Sequence, residues 1–509
     1  MPYPVIDIFA GPGGLGEGFS SFAYNDGNFA FKNVLSIEKD ASAHRTLYLR
    51  SFYRQFDPSY VPGEYWQYVR NKVEIKDLLE LYPRQAAAAS KEALFLELGD
   101  STRNKVKSII SDRINGDSKW VLVGGPPCQA YSLAGRSRMK NTNPDFENDE
   151  RHFLYLEYLK ILADHAPPVF VMENVKGLLS ATHSGEKIIL RIMDDLKNPG
   201  KALNRRKQDV GYNLFSLSEN KAAEECEPED FIIKCEKFGI PQARHRLLIL
   251  GIRNDINITP DALSPQKAPS VQQIIGDLPK IRSTLSKEKD SLKRWKEIIK
   301  SSRQEKWYTA GKANGLLQTT RKIDETIHNL KDLNFSAGGE IVPYKSKPKI
   351  YADWYRDGCP DVLLNHTARG HMLSDLHRYL FASSYALANG RSPNLSHFPE
   401  ALLPEHKNIS GKINEVSFAD RFRVQVKDKP STTITSHISK DGHYFIHYDP
   451  SQCRSLTVRE AARLQTFPDS YKFEGNRTSQ YHQVGNAVPP LLAKQIAEIV
   501  YEVLRRIRL

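Results

Sequence analysis

Gly124-Gly125-Pro126-Pro127-Cys128-Gln129 directly follows Lys119-Trp120-Val121-Leu122-Val123. A buried strand ending in glycines and prolines presents Cys128 in a loop at the strand's C-terminal end, where open α/β sheets place their ligands. The prolines preset the backbone, so the thiol is held and suits a nucleophile; a structural cysteine in a tight turn is the alternative. A second apolar run, Val169-Phe170-Val171-Met172, ends in Glu173-Asn174-Val175 and delivers a carboxyl group to the same sheet edge. Apolar surroundings can keep such a group protonated and able to donate a proton, although a helix N-cap fits too, since a helix can start at Lys176. Third, Arg244 and Arg246 lie two residues apart in Gln242-Ala243-Arg244-His245-Arg246, just before the strand pattern Leu247 to Ile252. On extended backbone they share a face and can bind a carboxylate, a phosphate or a base carbonyl oxygen, or line a solvated edge.

These groups must be positioned by a sheet, and the N-terminus supplies its first strands. Val5 to Ala10 alternates into a strand, and Gly11-Pro12-Gly13-Gly14-Leu15-Gly16 turns into a helix expected from about Glu17. Without Cβ atoms, such a turn lets a ligand approach the backbone closely. The next strand, Val34 to Ile37, ends at Glu38, which can accept hydrogen bonds from both ribose hydroxyls of an adenosine-type cofactor or be an ordinary strand-end carboxylate. An Ala-rich stretch, Gln85 to Leu98, fits an exposed helix; Asp100 after it either reaches a cofactor's adenine or caps a helix stop. Ala130 to Lys140 is a positively charged loop, continued by a polar run to Glu150, that can close over a phosphodiester or be a solvated surface loop. His152 to Asp164 has a helical pattern.

The 509 residues suffice for two or three domains, or for one with a large insertion. With 72 Lys and Arg against 60 Asp and Glu, the net charge of +12 favours a polyanionic partner but fits many soluble enzymes. Five cysteines, odd in number and without a C-x-x-C pair, argue against a disulfide framework or a zinc site and for a reducing cytosol. Neither a signal peptide nor a membrane span is expected, because the N-terminus enters a strand pattern at once. Lys280 to Trp307 holds ten Lys and Arg and four Asp and Glu around two tryptophans, which fits a basic helix on a DNA backbone or a solvated face. His366, Arg369, His371 and His377 form a polar cluster suited to DNA contact or plain surface. Lys429 to Ser436 reads as an edge strand followed by a hairpin at Lys440-Asp441-Gly442, and the apolar spacing from Pro489 to Arg506 as a closing helix.

Phe9-Ala10-Gly11-Pro12-Gly13-Gly14, Pro126-Pro127-Cys128-Gln129, Glu173-Asn174-Val175, Gln242-Ala243-Arg244-His245-Arg246, Arg459-Glu460-Ala461-Ala462-Arg463-Leu464-Gln465 with Phe467-Pro468-Asp469, and Gln483-Val484-Gly485-Asn486-Ala487-Val488-Pro489-Pro490 resemble, in this order, the motif set of DNA (cytosine-5) methyltransferases of the bacterial and phage modification type. The resemblance covers residues 1 to about 255 and about 430 to 509. It implies a mostly parallel, Rossmann-like α/β sheet with helices on both faces, plus a smaller mixed target-recognition domain. It further implies a catalytic domain at 1–255, a target-recognition region at 256–430, and a return segment at 431–509.

What the resemblance implies about chemistry follows the ring. Carbon 5 of cytosine is a poor nucleophile until Cys128 adds to carbon 6; Glu173 would assist at the ring nitrogen, and Arg246, with Arg244, at the carbonyl oxygen. S-adenosylmethionine would be the methyl donor, with no metal. Phe9, Ala10, Gly11, Pro12 and Gly14 would surround its methionine part, Glu38 its ribose and Asp100, with Asp77 as competitor, its adenine. Pro127, Leu154, Asn486 and Ala487 would complete that pocket. Gln129, Ser132, Arg136 and Asn174 are the expected DNA contacts, on a cytosine extruded from the duplex. A monomer acting on double-stranded DNA in a prokaryotic cytoplasm is expected, with room for a separate cognate restriction endonuclease. A tRNA methyltransferase of the same family would share the core but carry a much smaller insert; a silent DNA-binding regulator would have no use for Cys128, Glu173 and Arg246 together.

Overall fold

A computed structural model describes residues 1–24, 27–57, 60–127, 154–183, 186–205, 210–313, 315–356, 358, 361–404 and 420–508. The chain divides into two compact units, Met1–Lys267 with Ala487–Leu509, and Ala268–Asn486.

The first unit is built on a sheet of β1 (Tyr3–Ile8), β2 (Phe31–Glu38), β3 (Ala93–Phe95), β4 (Val121–Gly124), β5 (Val169–Val175), β6 (Tyr212–Phe215), β7 (Ile232–Lys234) and β8 (His245–Arg253). The spatial order is β3-β2-β1-β4-β5-β8-β6, with β7 beside β6 along one edge of β8. β1 to β5 run parallel and β8 runs antiparallel to its neighbours. Alternation along the strands feeds two cores. Val5, Val121, Val123, Val169, Val171, Leu248 and Leu250 enter one, and Ile6, Ile8, Leu122, Phe170, Met172, Leu247 and Ile249 the other. Each such side chain, once buried, contributes about 1.5–3 kcal/mol, which drives helices onto both faces.

In chain order the helices that matter are α1 (Gly14–Ser20), α2 (Ala41–Tyr53), α3 (Arg103–Ile114) and α4 (Leu154–His165). Leu15 and Phe19 of α1 share the first core with Leu492, Ile496 and Val500 of the C-terminal helix Pro490–Arg506. The two helices are so close that a Cβ on Gly18 would collide with Ala493 and the Pro490 carbonyl. Both chain ends therefore build one unit. Val106 and Ile110 of α3 and Tyr158 and Leu162 of α4 close the second core. Strand order reverses between β1 and β4, and the crevice outside the carboxyl ends at such a switch point is the preferred ligand position of open α/β sheets.

Three local expectations change. The helix expected over Gln85 to Leu98 is Pro83–Glu92 only; Ala93, Leu94 and Phe95 pair in parallel with Ser36, Ile37 and Glu38 as β3. Edge-strand pairing overrides alanine's helical preference there. Helix α1 starts at Gly14, because Gly13 at φ 96 already turns the chain. Glu173 and Asn174 lie inside β5 and do not cap a helix, since β8 pairs with β5 through Val175.

The second unit is mixed. Helices Leu292–Ser301, Leu317–Asn329 and Leu373–Asn389 surround a core containing Trp295, Ile298, Trp307, Ile323, Leu376 and Leu380, and Gly338–Pro343 pairs antiparallel with Val362–Thr367. The tryptophans of the basic run are thus interior, Trp295 in the helix Leu292–Ser301 and Trp307 in the helix Lys306–Ala313. His366, Arg369, His371 and His377 are buried as well, contrary to both surface readings. His366 contacts Thr457 Oγ1 and the Pro279 carbonyl, Arg369 donates to the carbonyls of Ile438 and Lys440, and His377 bonds the Ile298 carbonyl. In place of the expected hairpin, 3-10 turns Ser436–Ser439 and His443–Phe445 flank Lys440-Asp441-Gly442. Arg459, Glu460, Arg463 and Asp469 are fully buried: Arg463 grips Asp469 with both arms at 2.9 and 2.7 Å, and Arg454 grips Glu460 at 2.6 and 2.7 Å. Residues 431–486 belong to this unit, so the unit boundaries fall at 267/268 and 486/487 and not at the expected 255/256 and 430/431.

Burial pushes His366 down to about 4 and, with Arg454 adding to it, His447 down to about 4 as well. Unfolded histidine titrates near 6.5. Between those values the unfolded chain binds more protons, so stability falls as pH is lowered from about 6.5 towards 4. The urea midpoint of the full chain should drop progressively over that interval; a flat midpoint would contradict the buried neutral histidines.

Candidate active site

The glycine turn is fastened to two strand ends. Phe9 at φ 58 and Gly11 at φ 57 bend the chain sharply off β1. Ala10 N donates to the Ile37 carbonyl at 3.0 Å and Gly11 N to Glu38 Oε2 at 2.7 Å. Glu38 Oε1 also accepts from the amides of Lys39 and Asp40 at 2.9 and 2.6 Å. The carboxylate at the end of β2 is therefore held by three backbone donors and keeps lone-pair capacity for another. A Cβ on Gly11 would meet nothing within 4 Å among the described residues, so none of them covers the turn there.

Around it, Gly14 packs against the Val488 backbone and the Ala487 side chain. Leu154 is the first residue of α4, and Pro127 follows the end of β4. Asp100 follows β3 at the same edge as Glu38; it is exposed, and Lys160 donates to its Oδ1 at 2.5 Å, a hydrogen bond that holds the carboxyl below its ordinary range. Asp77 sits in the first turn of the helix Ile75–Leu81. Asn486 ends the helix Arg477–Asn486 of the second unit.

The acid and a guanidinium are brought together by strand register. β8 pairs antiparallel with β5, Leu248 opposite Glu173 and Arg246 opposite Val175. Arg246 Nε lies 2.9 Å from Glu173 Oε1, with 13% and 12% of the two side chains exposed. The other oxygen, Oε2, is so near the β4 loop that a Cβ on Gly125 would sit 2.8 Å from it. Asn174 Nδ2 reaches the Pro126 carbonyl at 3.4 Å, while Asn174 Oδ1 accepts from Val175 N at 2.8 Å, tying the end of β5 to the same loop. Arg244 does not share this opening: it is fully buried, and burial together with the Arg246 charge pushes it down to about 9. Cys235 lies near both arginines, but burial pushes its thiol up to about 12, which removes it as a nucleophile.

Cys128, Gln129, Ser132 and Arg136, with the rest of the loop to Glu150, lie outside the described residues. Sequence reading missed Asp7, which is fully buried beneath the glycine turn, and the Arg50–Glu17 pair at its side. The available signal was a carboxylate in the middle of an apolar strand pattern.

Residues 95–502 match the family of C-5 cytosine-specific DNA methylases. The chain belongs to that family. It is a DNA (cytosine-5-)-methyltransferase. A type II methyltransferase of Bacillus paralicheniformis, M.Bpa9945I, is 31% identical over 98% of this chain and 99% of its own. The type II methyltransferase M.DdeI of Desulfomicrobium norvegicum is 27% identical over 97% of this chain and 87% of its own. The DNA (cytosine-5-)-methyltransferase M.ApeKI of Aeropyrum pernix is 27% identical over 77% and 83%.

Gly125→Ala should displace the Glu173 carboxylate while sparing the fold. Methyl transfer is expected to fall roughly 10- to 100-fold, in line with a misplaced catalytic group, with the melting temperature unchanged. An active Gly125→Ala enzyme would show that Glu173 need not occupy this position.

Proposed function

We propose that this methyltransferase uses S-adenosylmethionine to methylate carbon 5 of a cytosine extruded from a specific duplex DNA sequence, through a transient bond between Cys128 and carbon 6. The observation that carries the reading is the Glu173–Arg246 pair, 2.9 Å apart and set against Gly125, three residues before Cys128. A carboxyl group and a guanidinium side by side match the ring nitrogen and adjoining carbonyl oxygen of cytosine.

Glu173 binds the ring nitrogen and shares a proton with it as the thiolate adds, and Arg246 holds the carbonyl oxygen and offsets the charge that develops there. Arg244, fully buried, lies within electrostatic reach of both Arg246 and Glu173. Addition makes carbon 5 nucleophilic; after methyl transfer its proton leaves, the sulfur–carbon bond breaks, and the thiolate is restored. The donor supplies an electrophilic methyl group when bound. The residues present fit it: Glu38, fixed by three amides, has oxygen capacity for a ribose diol, and none of the described residues covers the turn at Gly11. Phe9, Ala10, Gly11, Pro12 and Gly14 line that turn. Asp100 is the better partner for an adenine amino group than Asp77, because it follows β3 at the edge shared with Glu38. Pro127, Leu154, Asn486 and Ala487 are the remaining contributors. Gln129, Ser132, Arg136 and Asn174 contact DNA, and residues within 268–486 select the sequence. The type II relatives support a modification role; the reading further has the enzyme working as a monomer in the prokaryotic cytoplasm, beside a separately acting restriction endonuclease. No described helix is long and apolar enough to cross a membrane.

A duplex carrying 5-fluorocytosine has fluorine in place of the proton on carbon 5; fluorine cannot leave as a cation, so elimination is blocked and a covalent adduct should be trapped. The expected outcome is a DNA-linked species with the parent enzyme, none with Cys128→Ala, and for Cys128→Ser a loss of turnover on the order of 10⁴-fold with cofactor binding retained. An adduct formed by Cys128→Ala, or full activity in the serine variant, would refute the nucleophile assignment.

A further inference from the structure

Beneath the glycine turn, where the first core would be expected to continue, the space between β1, β2, α1 and α2 is polar. Asp7, Asn33, Ser36, Thr46 and Ser51 are all buried there. A register shift causes part of this: Val5 pairs with Asn33 but Ile6 with Leu35, so Val34 is the extra residue of a bulge. Asn33 and Ser36, partner of Asp7 across the ladder, consequently face the same side as Asp7.

Asp7 and Asn33 together hold one residue of α1. Gly16 N donates to Asp7 Oδ2 at 3.2 Å, and Asn33 Nδ2 donates to the Gly16 carbonyl at 3.0 Å. Gly16 is the third residue of α1, and its N–H belongs to the first turn, where amides lack intrahelical acceptors. The N-cap position is Gly13, which has no side chain to satisfy them. Asp7 therefore does from the neighbouring strand what a capping aspartate does from the N-cap, and its charge favours the positive end of the helix. The turn that α1 continues is Gly11 to Gly13, directly after the strand that carries Asp7.

We infer that Asp7 is a positioning residue for the cofactor turn: as a carboxylate it caps α1 through Gly16 and presets the Gly11–Gly13 backbone, so that cofactor affinity depends on the protonation state of Asp7. This rests on the reading that S-adenosylmethionine occupies that turn. Asp7 Oδ1, Asn33 Oδ1, Ser36 Oγ and Ser51 Oγ have no hydrogen-bond partner among the described residues, and the Gly16 amide is the hydrogen bond described to the Asp7 carboxyl. The charged and titratable groups that bear on Asp7 are Arg54, which follows the end of α2, Glu38 of β2, Glu92 of the helix Pro83–Glu92 and Tyr158 of α4; Glu17 of α1, next to Gly16, is paired with Arg50 and Arg54. Burial is the dominant influence and lifts the Asp7 carboxyl to about 7; Gly16 and Arg54 oppose it, and Glu38 and Glu92 add to it. The cap is thus charge-assisted above neutrality and becomes a neutral one as the group takes up a proton below it. Ionisation of this group costs stability, since its folded value lies above its unfolded one, and persistence of a costly buried acid at a site is the pattern expected of a functional group.

The test is calorimetric binding of S-adenosylhomocysteine to the full-length enzyme from pH 6 to 8.5, for the parent and for Asp7→Asn. The asparagine can still accept from Gly16 but has no charge to titrate. The parent is expected to bind roughly 3- to 10-fold more weakly at pH 6 than at pH 8, the difference between a charge-assisted and a neutral cap. Asp7→Asn should bind about as weakly at pH 8 as the parent does at pH 6, with a flat profile. At pH 8 its KM for the cofactor should rise while kcat at saturation stays within about twofold, and it should melt no lower than the parent because a buried charge is gone. A flat parent profile, or an unchanged slope in Asp7→Asn, would overturn the inference. Failure of the parent to bind S-adenosylhomocysteine at any pH would instead refute the cofactor reading itself.

Discussion

The antiparallel pairing of β8 with β5 is the constraint on which the site depends. It sets Leu248 opposite Glu173 and Arg246 opposite Val175, and thereby carries a guanidinium from one strand to a carboxylate on the other. A slip of one residue would send both side chains to opposite faces, because strand side chains alternate with period two. The register is locked by apolar residues and not by the charges: Leu247 and Ile249 commit to one core, Leu248 and Leu250 to the other. Removing one partner of a pair this deeply buried strands the other, at about 3–5 kcal/mol when burial is complete. The sheet, in other words, supplies the energy that keeps two desolvated charges where chemistry needs them.

In the parallel half of the sheet, strand order reverses between β1 and β4, with the glycine turn after β1 and Gly125–Pro127 after β4. Three carboxylates near that turn differ by environment alone. Glu38 is fixed by three amides at a strand end, Asp100 is exposed against Lys160, and Asp7 is interior with one amide as its hydrogen-bond partner. Environment therefore suits each to a separate part in the proposed reading: ligand contact for the first two, positioning of the turn for the third.

Much of this was legible in the chain. The alternating and apolar runs identified β1, β2, β4, β5 and β8, and helical spacing identified the C-terminal helix, because each pattern is local. Strand β3 was hidden within an Ala-rich stretch, since its three residues become a strand only by pairing with Ser36–Glu38. Polar residues were the least legible. His366, His371 and His377 look like surface, yet they lie inside the second unit, where their partners come from segments such as Ile298 and Thr457, 79 and 91 residues away. Arg463 and Asp469 are read as a motif, while their role as a fully buried ion pair follows from packing alone. Arg244 and Arg246, equivalent on paper, separate into an interior cation and a site cation according to what covers them.

A double-mutant cycle on Glu173→Gln and Arg246→Met, read as the single-turnover rate of methyl transfer to duplex DNA, tests most directly whether these two residues act as one unit. If they do, each single change slows transfer by about 100-fold or more, and the double variant is no slower than the worse single by more than about threefold. Rates that multiply, so that the double variant loses the product of both factors, would mean the acid and the guanidinium act independently and would contradict the account.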